Sequence, residues 1–220
     1  MPNGHAQPLH APLQHHFDTL EQQKDASTLG MWVFLVTEVM FFGGMFMAYT
    51  LYRMWYPDAW AAASHHLDVP LGAFNTAVLI GSSLTMAMAV RAAQLGNRNA
   101  QLVFLLLTML LGTVFLGIKA IEYSDKFEHH LVPGPNFLFE DIRYARRAQI
   151  FFSLYFAMTG MHALHMIIGA GLMIWLVIGA ARGRFTAAYH TPVELVGLYW
   201  HFVDIVWIFL VPLLYLVGHH

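Results

Sequence analysis

Five long apolar blocks separated by polar turns constrain this chain more than any other feature. They run over 29–52, 72–93, 101–121, 148–181 and 193–217. A helix of about 20 mostly apolar residues crosses a hydrocarbon core of about 30 Å. Barrel strands would show as segments of about ten residues with alternating polarity, and these are absent. The expected fold is therefore all-α, a polytopic membrane protein built as a bundle of five transmembrane helices. The fourth block is the long one, and at 1.5 Å per residue it reaches about 51 Å, so it must tilt or project into water. Pro212 is expected to bend the last turns of the fifth. Charged residues make up 11% of the chain, against about 25% in soluble domains. That excludes a disordered chain, a nucleic-acid binder and an ordinary soluble enzyme. There is no cysteine, so disulfides, zinc–thiolate sites, iron–sulfur clusters and thiolate-ligated copper are excluded too.

Residues 1–28 read as a polar, histidine-rich N-terminal tail with Pro2, Pro8 and Pro12. They lack the apolar core of a signal peptide, so no cleaved signal is expected. The mixed-charge stretch 18–25 reads either as a short interfacial helix or as solvated tail. The transmembrane domain then occupies 29–217. An odd number of crossings puts the termini on opposite sides. Lys24, Arg91, Arg98, Arg182 and Arg184 fall on the N-terminal side, and Arg53, Lys119, Lys126, Arg143, Arg146 and Arg147 on the other. The loops around Arg98 and Arg182/Arg184 are short and free of acids, whereas the stretch from Glu122 to Arg147 is long and acidic. Short loops weigh most, so the N-terminus is expected in the cytoplasm and the C-terminus in the periplasm. Tyr52, Trp55 and Tyr56 fit an aromatic belt at the exit of the first span. No internal repeat and no inverted pair of broken helices is visible.

Polar residues inside the spans need explaining. Glu38 sits nine residues into the first, flanked at helical spacing by Phe34, Leu35, Phe41 and Phe42. A carboxylate there is costly, so the group is expected to be protonated, or to face a partner or water. Proton relay, lipid or partner contact, and a plain interhelical hydrogen bond all remain open. His162 and His165 lie three apart on the fourth span, as do His201 and Asp204 on the fifth. The two spans are expected to be antiparallel neighbours, with a histidine supplying Asp204's partner. A buried polar cluster is expected, with haem or copper ligation as the alternative. In the second span, Ala73, Ala77, Gly81, Thr85, Ala89 and Ala93 recur at every fourth position. Such a stripe of small residues is expected to pack against another helix, within this chain or in a partner. Lys119 and Glu122, three apart at the end of the third span, are expected to pair at the membrane interface.

Four stretches resemble subunit III of the haem–copper terminal oxidases. They are Thr37-Glu38-Val39-Met40-Phe41-Phe42, Leu71-Gly72-Ala73-Phe74-Asn75-Thr76, Gly160-Met161-His162-Ala163-Leu164-His165 with Ile167-Ile168-Gly169, and Tyr199-Trp200-His201-Phe202-Val203-Asp204-Ile205-Val206-Trp207. Many members have seven spans, and this chain looks like the forms lacking the first two. The resemblance implies an accessory subunit of a bacterial oxidase that reduces O2 to water with proton translocation. It implies no redox centre here and no metal site, with haems and copper in partner subunits. Subunit I is the implied main contact and subunit II a further partner. Bound phospholipid, oxygen access and support of proton uptake are implied as well, the family's intramembrane glutamate matching Glu38. The family's buried histidine and aspartate positions match His162, His165, His201 and Asp204. A related subunit of a quinol oxidase or nitric oxide reductase complex, a haem-carrying membrane anchor and a proton channel are the rival readings.

Overall fold

The computed structural model describes residues 13–15 and 17–216. Most of the tail, over 1–12 and at 16, and the end of the fifth expected span at Val217 lie outside the described residues. Among the described residues are six α-helices: α1 (Leu20–Trp55), α2 (Pro57–Ser64), α3 (Val69–Gln94), α4 (Arg98–Glu128), α5 (Ala145–Ala181) and α6 (Thr191–Tyr215). All but α2 are long and apolar enough to cross a membrane.

The helix starts follow from capping chemistry. Thr19 accepts from the Gln22 amide, Asp68 from Leu71 and Asn97 from Ala100, each satisfying one of the first turn's unpaired donors. Two chain reversals rest on glycine: Gly96 and Gly183 both have φ of 70°, where a Cβ would be strained. The residues 18–25 do not form a separate interfacial helix, because α1 runs unbroken from Leu20. Each helix also extends beyond its apolar block at one end or both, since polar terminal turns continue a helix that apolar patterning does not register. The short helix α2 was not apparent from the sequence. It buries Trp60 completely against Tyr49, Tyr52 and Phe151.

Helices α3, α4, α5 and α6 close a four-helix ring of antiparallel neighbours, and α1 leans on the α5–α6 edge. Half of α6's most apolar window is buried but only 11% of α1's, so α6 is the centre of the bundle and α1 its loosest member. Trp200 of α6 is the central plug. Its indole N–H donates to Ser82 of α3 at 2.9 Å, and its ring sits where Gly112 of α4 and Gly169 of α5 leave room. A Cβ at either glycine would come within 2.9 Å of that ring. At the N-terminal end, Glu194 of α6 accepts from Gln94 of α3 at 2.8 Å and lies 3.8 Å from Lys24 of α1. At the other end, the Tyr49 hydroxyl of α1 donates to the Leu213 carbonyl, one of α6's last four, at 2.5 Å.

The four-residue stripe on α3 is split. Thr85, Ala89 and Ala93 are buried, Gly81 is half-buried, and Ala73 and Ala77 are exposed. A spacing of four overshoots a turn by about 40° per step, so five steps carry the stripe roughly half-way round the helix. The face α3 packs inward is instead Gly72, Asn75, Leu79, Ser82, Met86 and Ala89.

Candidate functional site

Glu38 meets a partner on another helix. Its Oε2 lies 3.1 Å from Nε2 of His165 on α5, and the two side chains are 18% and 10% exposed. The other ring nitrogen of His165 lies 2.8 Å from the Met161 carbonyl. A carbonyl only accepts, so Nδ1 carries hydrogen. The Nε2–Oε2 contact then needs a proton of its own, held by the acid or by the imidazole. Without that proton, a nitrogen lone pair would face a carboxylate. The pair is therefore an acid–imidazole hydrogen bond between α1 and α5 within the span. Phe42 packs edge-on to the imidazole at 5.3 Å, and the Tyr199 hydroxyl donates to the His165 carbonyl at 2.9 Å. Both fix the ring's position.

Next to Phe42 the surface between α1 and α6 opens into an apolar groove of about 250 Å³. Val39, Gly43 and Phe46 line one wall, and Phe202, Val206 and Phe209 the other. Its lining offers almost no hydrogen-bonding group.

The four expected cluster residues do not form one cluster. His165 belongs with Glu38. His162 is buried between Phe115 and Trp207, with ring centroids 5.5 and 5.1 Å away, and neither of its nitrogens has a hydrogen-bond partner. Nδ1 of His201 contacts Oγ of Ser83 on α3 at 2.7 Å. Asp204 is 2% exposed, and Ser83 of α3, not a histidine, is the polar side chain beside it. Helical spacing assigns residues to a face, but not which neighbouring helix that face meets. The pairing of Glu38 with His165 was missed for that reason. The available signal was that each is an ionisable side chain in an apolar span with no acid–base partner three or four positions away on its own helix.

Lys119 and Glu122 do pair, at 2.8 Å, but each is only 4% exposed, so the pair is no surface contact. Glu122 accepts from the hydroxyls of Tyr155 at 2.7 Å and Tyr215 at 2.5 Å. The ammonium also donates to Tyr215 at 3.0 Å and lies 5.0 Å from the Trp207 ring centre. This network ties α4, α5 and α6 together, and its tyrosines were not singled out in the sequence. Among the described residues, no three His, Asp or Glu side chains converge as a metal site.

Comparison with known proteins supplies the family. The chain matches the family described as cytochrome c oxidase subunit III over residues 14–219. It belongs to that family. It is 34% identical to cytochrome c oxidase subunit 3 of Corynebacterium diphtheriae, covering 86% of this chain and 87% of that one. It is 31% identical to the Thermostichus vulcanus protein of the same name, covering 91% and 92%. Against the Rattus norvegicus protein it is 34% identical but covers only 69% of that longer chain. The chain is thus a multi-pass membrane subunit of an oxidoreductase complex, of about the length of those first two relatives.

Proposed function

We propose that this chain is the non-redox accessory subunit of an oxygen-reducing, proton-translocating haem–copper oxidase in a bacterial cytoplasmic membrane. It packs chiefly on catalytic subunit I, with subunit II as a further partner, and those subunits carry the haems and copper. Within the complex it supports proton uptake and holds phospholipid, keeping an apolar route open for oxygen. The observation that carries this reading is the Glu38–His165 hydrogen bond beside an apolar groove. A proton-holding group there buffers protons close to a partner's uptake path, and the groove accepts a lipid chain. The buried Lys119–Glu122 network serves to hold the scaffold.

The test begins with the tagged chain in mild detergent. A large haem-bearing polytopic partner is expected to co-purify in near-equal amount. Glu38→Gln is expected to keep assembly and electron transfer and to lower proton-pumping efficiency only in part. An isolated chain with a near-stoichiometric Soret band that disappears in His201→Ala would show a haem anchor instead. Unchanged proton uptake through sustained turnover in both Glu38→Gln and His165→Gln would remove the proton role.

A further inference from the structure

Two of the buried tyrosines spend their hydroxyls on groups that take no proton. Tyr49 donates to the Leu213 carbonyl and Tyr199 to the His165 carbonyl. Tyr155 and Tyr215 differ. Both are fully buried, and both donate to the same carboxylate oxygen, Oε1 of Glu122, at 2.7 and 2.5 Å. Their two phenol groups also adjoin each other. The other carboxylate oxygen is held by the Lys119 ammonium at 2.8 Å. A phenol that loses an electron becomes a strongly acidic cation, so it is oxidised readily only beside a base. A backbone carbonyl is no such base, whereas an ionised carboxylate within hydrogen-bond reach is one.

The surroundings also suit the charge that such an oxidation leaves behind. Once Glu122 has taken a phenolic proton, Lys119 has lost its counter-ion, which is costly in a dry interior. Here the ammonium sits in a cage of rings. It lies 5.0 Å from the ring centre of Trp207, 5.3 Å from Tyr155, 5.5 Å from Tyr123 and 5.7 Å from Tyr215. Cation–π attraction is strongest where water is excluded. The ammonium also donates to the phenol oxygens of Tyr155 and Tyr215, at 3.3 and 3.0 Å, and these contacts survive loss of the phenolic hydrogen. The same rings lead outward. Tyr215 is 6.5 Å from Trp207, and Tyr155 is 6.3 Å from Tyr123. Tyr123 is only half-buried.

We propose that Tyr155 and Tyr215, with Glu122 as their proton acceptor, form a one-electron oxidation site that intercepts strong oxidants of the hydroxyl-radical class. The oxidant draws one electron through Tyr123 and is reduced to hydroxide. That electron comes from the pair. The O–H bond of Tyr155 or Tyr215 breaks, its proton forms a new O–H bond at Oε1 of Glu122, and a neutral tyrosyl radical remains. One electron from a small reductant such as ascorbate, with return of the proton from Glu122, restores the phenol. The site is no carrier in the electron flow to oxygen. It stands beside the accessory-subunit reading and does not depend on it.

The test uses the full chain in mild detergent, with and without ring-deuterated tyrosine. Flash-generated ruthenium(III) tris-bipyridine is the one-electron oxidant. Electron paramagnetic resonance and infrared difference spectra are the readouts. The unaltered chain is expected to give a long-lived neutral tyrosyl signal, narrowed by ring deuteration, together with a new protonated-carboxyl band. No long-lived tyrosyl signal, or a tryptophan radical in its place, would overturn the site. A long-lived tyrosyl signal without the carboxyl band would overturn the role of Glu122 and the proposal with it. The double variant Tyr155→Phe, Tyr215→Phe is expected to lose both signal and band. Tyr49→Phe, which removes a carbonyl-bound hydroxyl, is expected to keep both. Persistence of the signal in the double variant would place the radical elsewhere and overturn the proposal. Should the double variant fail to fold, the measurement on the unaltered chain still decides, because a merely structural network produces neither the radical nor the band.

Discussion

Lys119 and Glu122 have almost no contact with solvent, so their energetics are set by what surrounds them. Two ions removed from water repay that cost only if geometry is good and the remaining hydrogen-bonding positions are filled. Here they are filled, by Tyr155 and Tyr215 on two further helices. Removing one partner leaves the other charge buried and uncompensated. Lys119→Met is therefore expected to destabilise the detergent-solubilised chain by about 3–5 kcal/mol. The double variant Lys119→Met, Glu122→Leu removes both charges and is expected to recover most of that loss. Thermal unfolding of the single and double variants checks it, and equal losses in both would mean the network's hydroxyls, not the charges, hold the helices. At this scale the sequence identified the chemistry-bearing residues but not their partners. Lys119 and Glu122 are three apart in one helix, so their pairing was legible. Glu38 and His165 are 127 positions apart, and nothing in either helix's spacing names the other.

The contacts between helices are decided by where side chains are missing as much as by where they are large. Trp200 fills a slot left by Gly112 and Gly169, and Gly197 lets Val90 approach to 2.9 Å of where its Cβ would stand. The rigid indole is held at its nitrogen by Ser82, so it cannot swing aside. Gly169→Ala is expected to cost about 1–3 kcal/mol by overpacking, and Gly169→Leu to reduce folded yield severely. Gly81→Ala is the contrast, since a Cβ there meets only Leu111 at 3.8 Å, an ordinary contact. Comparative melting of Gly169→Ala and Gly81→Ala checks the difference, and similar midpoints would mean the bundle relaxes around the indole. The spanning helices themselves were legible, because in lipid a backbone must satisfy its own hydrogen bonds and a long apolar block leaves only a helix. Their packing faces were less so. The stripe beginning at Ala73 followed a period of four, and the helix turns every 3.6 residues. Only Thr85, Ala89 and Ala93 therefore reach the interior. The helix α2 escaped notice because eight residues are too few for a periodic signal, although Pro57 at its start was a cue.

Seen whole, the bundle has two unlike ends. One gathers the start of α1, the tight turn through Gly96 and the reversal through Gly183, with Lys24, Arg91, Arg98, Arg182 and Arg184. The other gathers α2 and the long segment between α4 and α5, where Glu128, Glu140 and Asp141 accompany the arginines. The first end uses its basic residues structurally as well, since Arg98 donates to the Ala181 carbonyl, an otherwise unpaired acceptor at the end of α5. Lysine and arginine in short loops are retained on the cytoplasmic side, whereas acids contribute little and long loops cross readily. The end bearing Gly96 and Gly183 is therefore expected to face the cytoplasm. The absence of cysteine makes the unaltered chain a clean background for labelling. Ala187→Cys probes the exposed turn before α6, and Glu140→Cys probes the long segment at the opposite end. A membrane-impermeant maleimide added to intact spheroplasts is expected to label position 140 at once and position 187 only after permeabilisation. The reverse order would place the long acidic segment in the cytoplasm. It would also put the Glu194 end, where α1, α3 and α6 are tied together, on the periplasmic face.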